Sequence, residues 1–164
     1  MTLGPARRTA SIIAVALLAL AGCHGSQSVR SAQGQCTGSA QDHREVVLAF
    51  YRLALIERRP REAFEQYAAP GMIEHKPDVP AGTRGAVISY LEELMAELPQ
   101  ARWEVLRVAA EGDIVFLHAR FVPQPGAAPY AIVDVFRLED CRIVEHWDVV
   151  APPPKTQSNP NPRF

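Results

Sequence analysis

The sequence predicts an α+β domain: three N-terminal helices packed on a curved antiparallel four-stranded sheet, closing into a cone with an internal pocket. Two observations carry that expectation. Between Val47 and Leu98 apolar residues recur at helical spacing, in segments punctuated by Pro60, Pro70-Gly71 and Pro99. Beyond Pro99 the period drops to about two, over four short runs separated by turn residues.

"SAQDHREVVLAFYRLALIER" opens with Ser39 and Asp42 in capping-box spacing and sets Val47, Phe50, Tyr51 and Ala54 on one face. Pro60 ends that helix and suits the first turn of "PREAFEQYA", whose buried side carries Phe64 and Tyr67. Pro70-Gly71 stops the second helix, and "MIEHKPDVPAG" reads as a proline-rich loop. The third helix runs from Thr83 to Leu98 along a stripe of Val87, Ile88, Leu91, Leu94, Met95 and Leu98. The strands are "RWEVLRVAA", "DIVFLHARFV", "YAIVDVFRL" and "RIVEHWDVV". Their connections are short, so neighbours run antiparallel. Helices on one face of a curled sheet leave a hollow where a small ligand fits.

The chain has 164 residues, 48% of them hydrophobic, and a net charge of −1. That supports one domain with a real core. Lysine and arginine are scattered and form no stripe, which argues against a nucleic-acid partner.

Residues 1–22 have the pattern of an export signal: Arg7 and Arg8, then the apolar run "ASIIAVALLALAG", too short to span a bilayer. "LAGC", Leu20 to Cys23, resembles a bacterial lipobox, in which the cysteine becomes the lipidated N-terminus. The alternative is an ordinary secretory signal with Cys23 incidental. The expected organisation is a lipoprotein signal peptide (1–22), a flexible tether (23–39), the α+β domain (40–151) and a disordered tail (152–164). The protein would be exported and lipid-anchored to the cell envelope. His24, in place of aspartate, points to the outer membrane in a Gram-negative host. In that oxidising setting Cys36 and Cys141 are a candidate disulfide; two independent thiols are the alternative.

The hairpin "DVFRLEDCRIVEHWDV" interleaves apolar and ionisable residues. A three-residue turn pairs Asp134 with His146 and puts Ile132, Asp134, Phe136, Val144, His146 and Asp148 on one face. A two-residue turn pairs Asp134 with Trp147 and sends it to the other face. Both registers are open.

"MIEHKPDVPAG", "AAEGDIVFLHARF" and "IVDVFRLEDCRIVEHWDVV", in this order, resemble the SnoaL-like polyketide cyclase family of the nuclear-transport-factor-2-like superfamily. "EHWD" is the most specific piece. The resemblance implies an α+β cone around a pocket, a homodimer formed through the sheet, and neither metal nor organic cofactor. It places an acid/base aspartate at Asp148 and a polar pocket residue at Asp134. It also puts a histidine at His75. The family's turn glycine is replaced by Cys141, which must then adopt a conformation that glycine takes more cheaply.

If they share the pocket, Asp134, His146 and Asp148 are the candidate catalytic residues, since paired carboxylates in a cavity raise one pKa toward neutrality. The bland alternative has Asp134 and His146 satisfying each other while Asp148 caps a strand end. Tyr51, His75, His118 and Phe136 are the candidate ligand contacts. No close-spaced ligand pair suggests a metal. Trp103 and Trp147 read as core or interface aromatics. Three functions fit: an acid/base enzyme (aldol-type cyclisation, isomerisation or hydration) on a small, mostly apolar carbonyl compound, a non-catalytic ligand-binding lipoprotein, or a protein-interaction module.

Overall fold

Helix α1 (Ala40–Tyr51) starts where the side chains of Ser39 and Asp42 reciprocally cap each other's backbone, the capping box read from the sequence. It widens into one π-helical turn, Arg52–Ile56, before α2 (Pro60–Tyr67) begins on its proline. Helix α3 (Arg84–Glu97) is capped by Thr83, whose hydroxyl accepts from the Ala86 N–H. At its other end Arg58 donates to the Met95 and Leu98 carbonyls, satisfying groups that a helix C-terminus leaves bare. These elements belong to a computed structural model that describes Met1 and residues 36–164. The lipobox and Cys23 lie outside the described residues.

The strands are β1 (Ala68–Glu74), β2 (Arg102–Glu111), β3 (Ile114–Val122), β4 (Tyr130–Glu139) and β5 (Arg142–Ala151). The sheet order is β1-β5-β4-β3-β2, with β1 parallel to β5 and the other pairs antiparallel. The expected sheet had four strands; β1 is the addition. Its segment reads as a loop because Pro70 lacks a donor and Gly71 lacks a side chain. An edge strand tolerates both, and the β1–β5 register is interrupted between Ala68 and Ile73. Past that break the pattern is regular: Met72 and Glu74 are buried, and Ile73 and His75 are exposed.

A short 3-10 turn (Pro80–Gly82) packs back on β1. Gly82 has φ +55°, and a Cβ there would sit 2.7 Å from the Glu74 carbonyl oxygen. Only glycine allows that approach, which ties the turn to the end of β1.

The β4–β5 hairpin matches neither register expected. Asp140 and Cys141 form a two-residue turn with φ 47° and 60°, the left-handed pair that suits the twist of a tight hairpin. Leu138 pairs with Ile143 and Arg137 with Glu145, so Val144 is an extra residue on one strand. That bulge shifts the register by one. Asp134 then lies opposite Asp148 and Phe136 opposite His146. The even-numbered residues share a face as expected, through a shorter turn plus a bulge. The exception is the core contact: Ile143, not Val144, is fully buried.

Cys36 and Cys141 form the expected disulfide, with Cα atoms 6.1 Å apart. The core packs Val47, Phe50 and Phe64 from the helices against Val115, Leu117, Leu138 and Ile143 of the sheet. Phe50 meets both Phe64 and Phe136 edge-on. At the other terminus Arg163 donates to the Pro129 and Ala151 carbonyls.

Candidate functional site

Between helices and sheet lies a cavity of about 370 Å³. Most of its wall is apolar: Phe50, Val87, Leu91 and Leu94 from the helices, and Trp103, Phe121, Ile132 and Phe136 from the strands. The polar lining comes chiefly from Tyr51 on α1, Lys76 after β1, Asp134 on β4, and His146 and Asp148 on β5. An apolar wall with a few convergent polar groups is the usual form of a small-molecule site.

The polar groups form two linked units. In the first, both oxygens of Glu74 lie 2.8–2.9 Å from His146 Nδ1, and His146 Nε2 lies 3.1 Å from Asp134 Oδ1. Glu74 also accepts the Lys76 backbone N–H at 2.8 Å. Its side chain is fully buried. In the second unit, Lys76 Nζ binds Asp148 Oδ2 at 2.8 Å and lies 3.4 Å from Asp78.

Burial disfavours a charged His146, but the bond to Asp134 and then that to Glu74 outweigh it, and its pKa rises to about 9. Burial, the largest influence, lifts Asp134 above its ordinary range against the pull of His146; Asp148 and Glu74 add to the rise. The two directions describe one proton held between His146 Nε2 and Asp134 Oδ1, a property of the pair. Of the two carboxylates expected to share the pocket, Asp134 is raised, and removal from water contributes more to that rise than the charge of Asp148 does. At Lys76, burial opposes the charged form, but the bond to Asp148 prevails and the pKa is raised.

This proton sets a pH dependence. The folded pKa of His146, about 9, exceeds the ordinary 6.5. Its stabilisation is fully present below about 6.5 and is lost as pH rises through 9. Asp134 shares that proton, so its raised pKa belongs to the same effect and adds no second one. Asp42 and Glu145, both lowered, act only in acid. The thermal midpoint should therefore fall between pH 6.5 and 9, a trend that a His146→Gln variant loses; calorimetry at stepped pH checks it.

Five of the seven residues expected in the pocket are there: Tyr51, Asp134, Phe136, His146 and Asp148. Two are not. His75 is exposed and stacks on Trp147 with ring centroids 4.5 Å apart, on the outer face of the sheet. His118 alternates with the inward Leu117 and Ala119, and its Nδ1 lies 3.1 Å from Arg107. Neither can touch a ligand in the cavity. Glu74 and Lys76 were missed. Once β1 is a strand, alternation settles the matter: His75 outward means Glu74 inward.

Such a fold and site define an α+β cone whose largely apolar cavity carries buried acid/base groups. Residues 47–146 match the SnoaL-like domain, and the chain belongs to that family. A candidate SnoaL-like polyketide cyclase from Jannaschia sp. CCS1 superposes with a TM-score of 0.57 at 22% identity, over 68% of this chain and 86% of that one. A candidate polyketide cyclase from Acidithiobacillus ferrooxidans gives 0.56 at 20%, over 66% and 87%. A candidate isomerase of the SnoaL-like family from Agrobacterium tumefaciens gives 0.58 at 16%, over 68% and 99%. No curated protein sequence matches the chain.

Proposed function

We propose that the protein is an acid/base enzyme, needing no organic cofactor, that moves a proton on a small, mostly apolar carbonyl compound. Aldol-type cyclisation, isomerisation and hydration all fit. One observation carries the reading: the Glu74–His146–Asp134 chain ends in the cavity wall with Asp134 Oδ2 buried and unpartnered.

With the shared proton on His146, Asp134 is a carboxylate that takes a proton from the carbon next to a carbonyl. Asp134 then returns it at a second position. Glu74 touches no ligand; it is a positioning residue that fixes the ring and favours its charged form. Asp148, to which the resemblance gave the acid/base role, is tied to Lys76. That ion pair suits it to orienting polar groups of the ligand. The same pairing favours the second reading, a binding protein without turnover.

Exchange in D2O at the α-carbon of 2-tetralone, a neutral bicyclic ketone, tests the proposal. Acceleration over buffer supports it; none, for 2-tetralone or related neutral ketones that bind, leaves the binding protein.

We also propose export and lipid anchoring through Cys23. The Cys36–Cys141 bridge fits an oxidising compartment. A Cys23→Ser variant should leave the membrane fraction and lose its acyl mass; unchanged fractionation would contradict the anchor. A homodimer through the sheet is part of the same proposal. Phe116, Val133 and Val149 leave apolar surface exposed on the strands.

A further inference from the structure

Beyond β5 the chain leaves the sheet and comes back to it. Gln157 donates to the Asn159 and Asn161 carbonyls, and the Asn161 N–H donates to the Asn159 side chain, which rounds off the excursion. Arg163 then grips the end of β5 through the Ala151 carbonyl at 2.7 Å, and the β3–β4 connection through the Pro129 carbonyl at 3.2 Å. Phe164 lands on β3. Its ring is tilted 22° from that of His118, with centroids 6.2 Å apart. The guanidinium carbons of Arg120 and Arg163 each lie 5.7 Å from its centre, within cation–π range. His118 and Arg120 alternate with the inward Leu117 and Ala119, so this seat is on the outer face of the sheet.

The same face carries exposed apolar surface: Ile73 on β1, Phe116 on β3, Val133 on β4 and Val149 on β5, the last 65% exposed. The seat of Phe164 adjoins it, because His118 pairs with Val133 and Val133 with Val149. An apolar patch of this kind on a sheet face marks a contact surface. The homodimer proposed above uses that surface, and two sheets that pack face to face stand only about 10 Å apart. A loop and an aromatic ring seated on one of them obstruct that approach.

We propose that residues 152–164 are a strap that occupies the outer sheet face and opposes pairing with a second copy of the chain. The inference rests on the dimer reading, which supplies the competitor. The strap's hold is modest: two hydrogen bonds and the contacts of one ring are set against the entropy of ordering the segment between Ala151 and Arg163. It is therefore docked in part of the population and undocked in the rest. A dimer needs two bare faces, so the bare fraction enters squared. With about one-third of the faces bare, apparent self-association is weakened about tenfold.

Sedimentation equilibrium of the full chain tests it, in density-matched detergent with micelles in excess over protein. The Arg163→Ala/Phe164→Ala variant should self-associate about tenfold more tightly than the unaltered chain. Adding Val149→Asp, at an exposed position, should abolish that gain and so locate the contact on this face. Equal association of the variant and the unaltered chain overturns the strap and leaves the dimer standing. Weaker association of the variant also overturns it, since the segment would then be part of the contact. If neither chain associates, the dimer falls and the strap with it. A gain that survives Val149→Asp puts the contact elsewhere and overturns the assignment.

Discussion

Asp134→Asn is expected to slow α-carbon exchange on the order of 100- to 10,000-fold, the range typical of losing a general acid/base. The fold should survive, because an asparagine carbonyl can still accept from His146 Nε2. The site loses only its ability to take up a proton next to the ligand. Asp148→Asn should behave differently. Asp148 is held by Lys76 at 2.8 Å, so its loss frees a lysine at the cavity wall and disturbs ligand placement. Its effect should fall mainly on KM. The contrast matters because the family resemblance alone assigns the proton to Asp148. If Asp148→Asn abolishes exchange while Asp134→Asn spares it, the buried chain is not the catalytic unit.

Removing the Cys36–Cys141 bridge is expected to cost about 2–5 kcal/mol of stability, since the bond closes a long loop in the unfolded chain. The sequence separation is 105 residues, near the upper end of what chain entropy offers. The bridge ties the segment before α1 to the turn between β4 and β5. Asp140 and Cys141 hold positive φ there, so the turn is already committed to an unfavourable backbone. Denaturant unfolding of the Cys36→Ser/Cys141→Ser double variant, against the oxidised parent, measures the effect. An unchanged midpoint would show that the bridge restrains nothing.

The helices, the last four strands and the disulfide pairing were legible because each has a local signal. Ser39 with Asp42 marks a start, Pro60 and Pro99 mark boundaries, and a period near two recurs in each of the four runs from Trp103 onward. β1 was not legible: Pro70-Gly71 carries the composition of a stop, and only pairing with β5, a tertiary fact, makes the segment a strand. The site inherits that gap. With the segment taken as a loop, His75 looked like the functional residue, whereas Glu74 faces inward and His75 stacks outside on Trp147. The hairpin shows a subtler limit. Two turn lengths fit the sequence, and nothing in "CRIVEH" announces the bulge at Val144 that restores the face of Asp134. His118 illustrates parity without a reference point: its strand alternates clearly, but only packing shows which half, here Val115, Leu117 and Ala119, is inside.

A proton held between His146 and Asp134 and supported by Glu74 is the heart of the site, and imidazole nitrogen NMR reads it without knowledge of any substrate. The chain contains five histidines. One of them, assigned by its loss in His146→Gln, should keep both ring nitrogens in the protonated or hydrogen-bonded range up to a pH of about 9. Glu74→Gln should move its titration to lower pH. A His146 ring that titrates near the ordinary 6.5, unmoved by Glu74→Gln, would contradict the account.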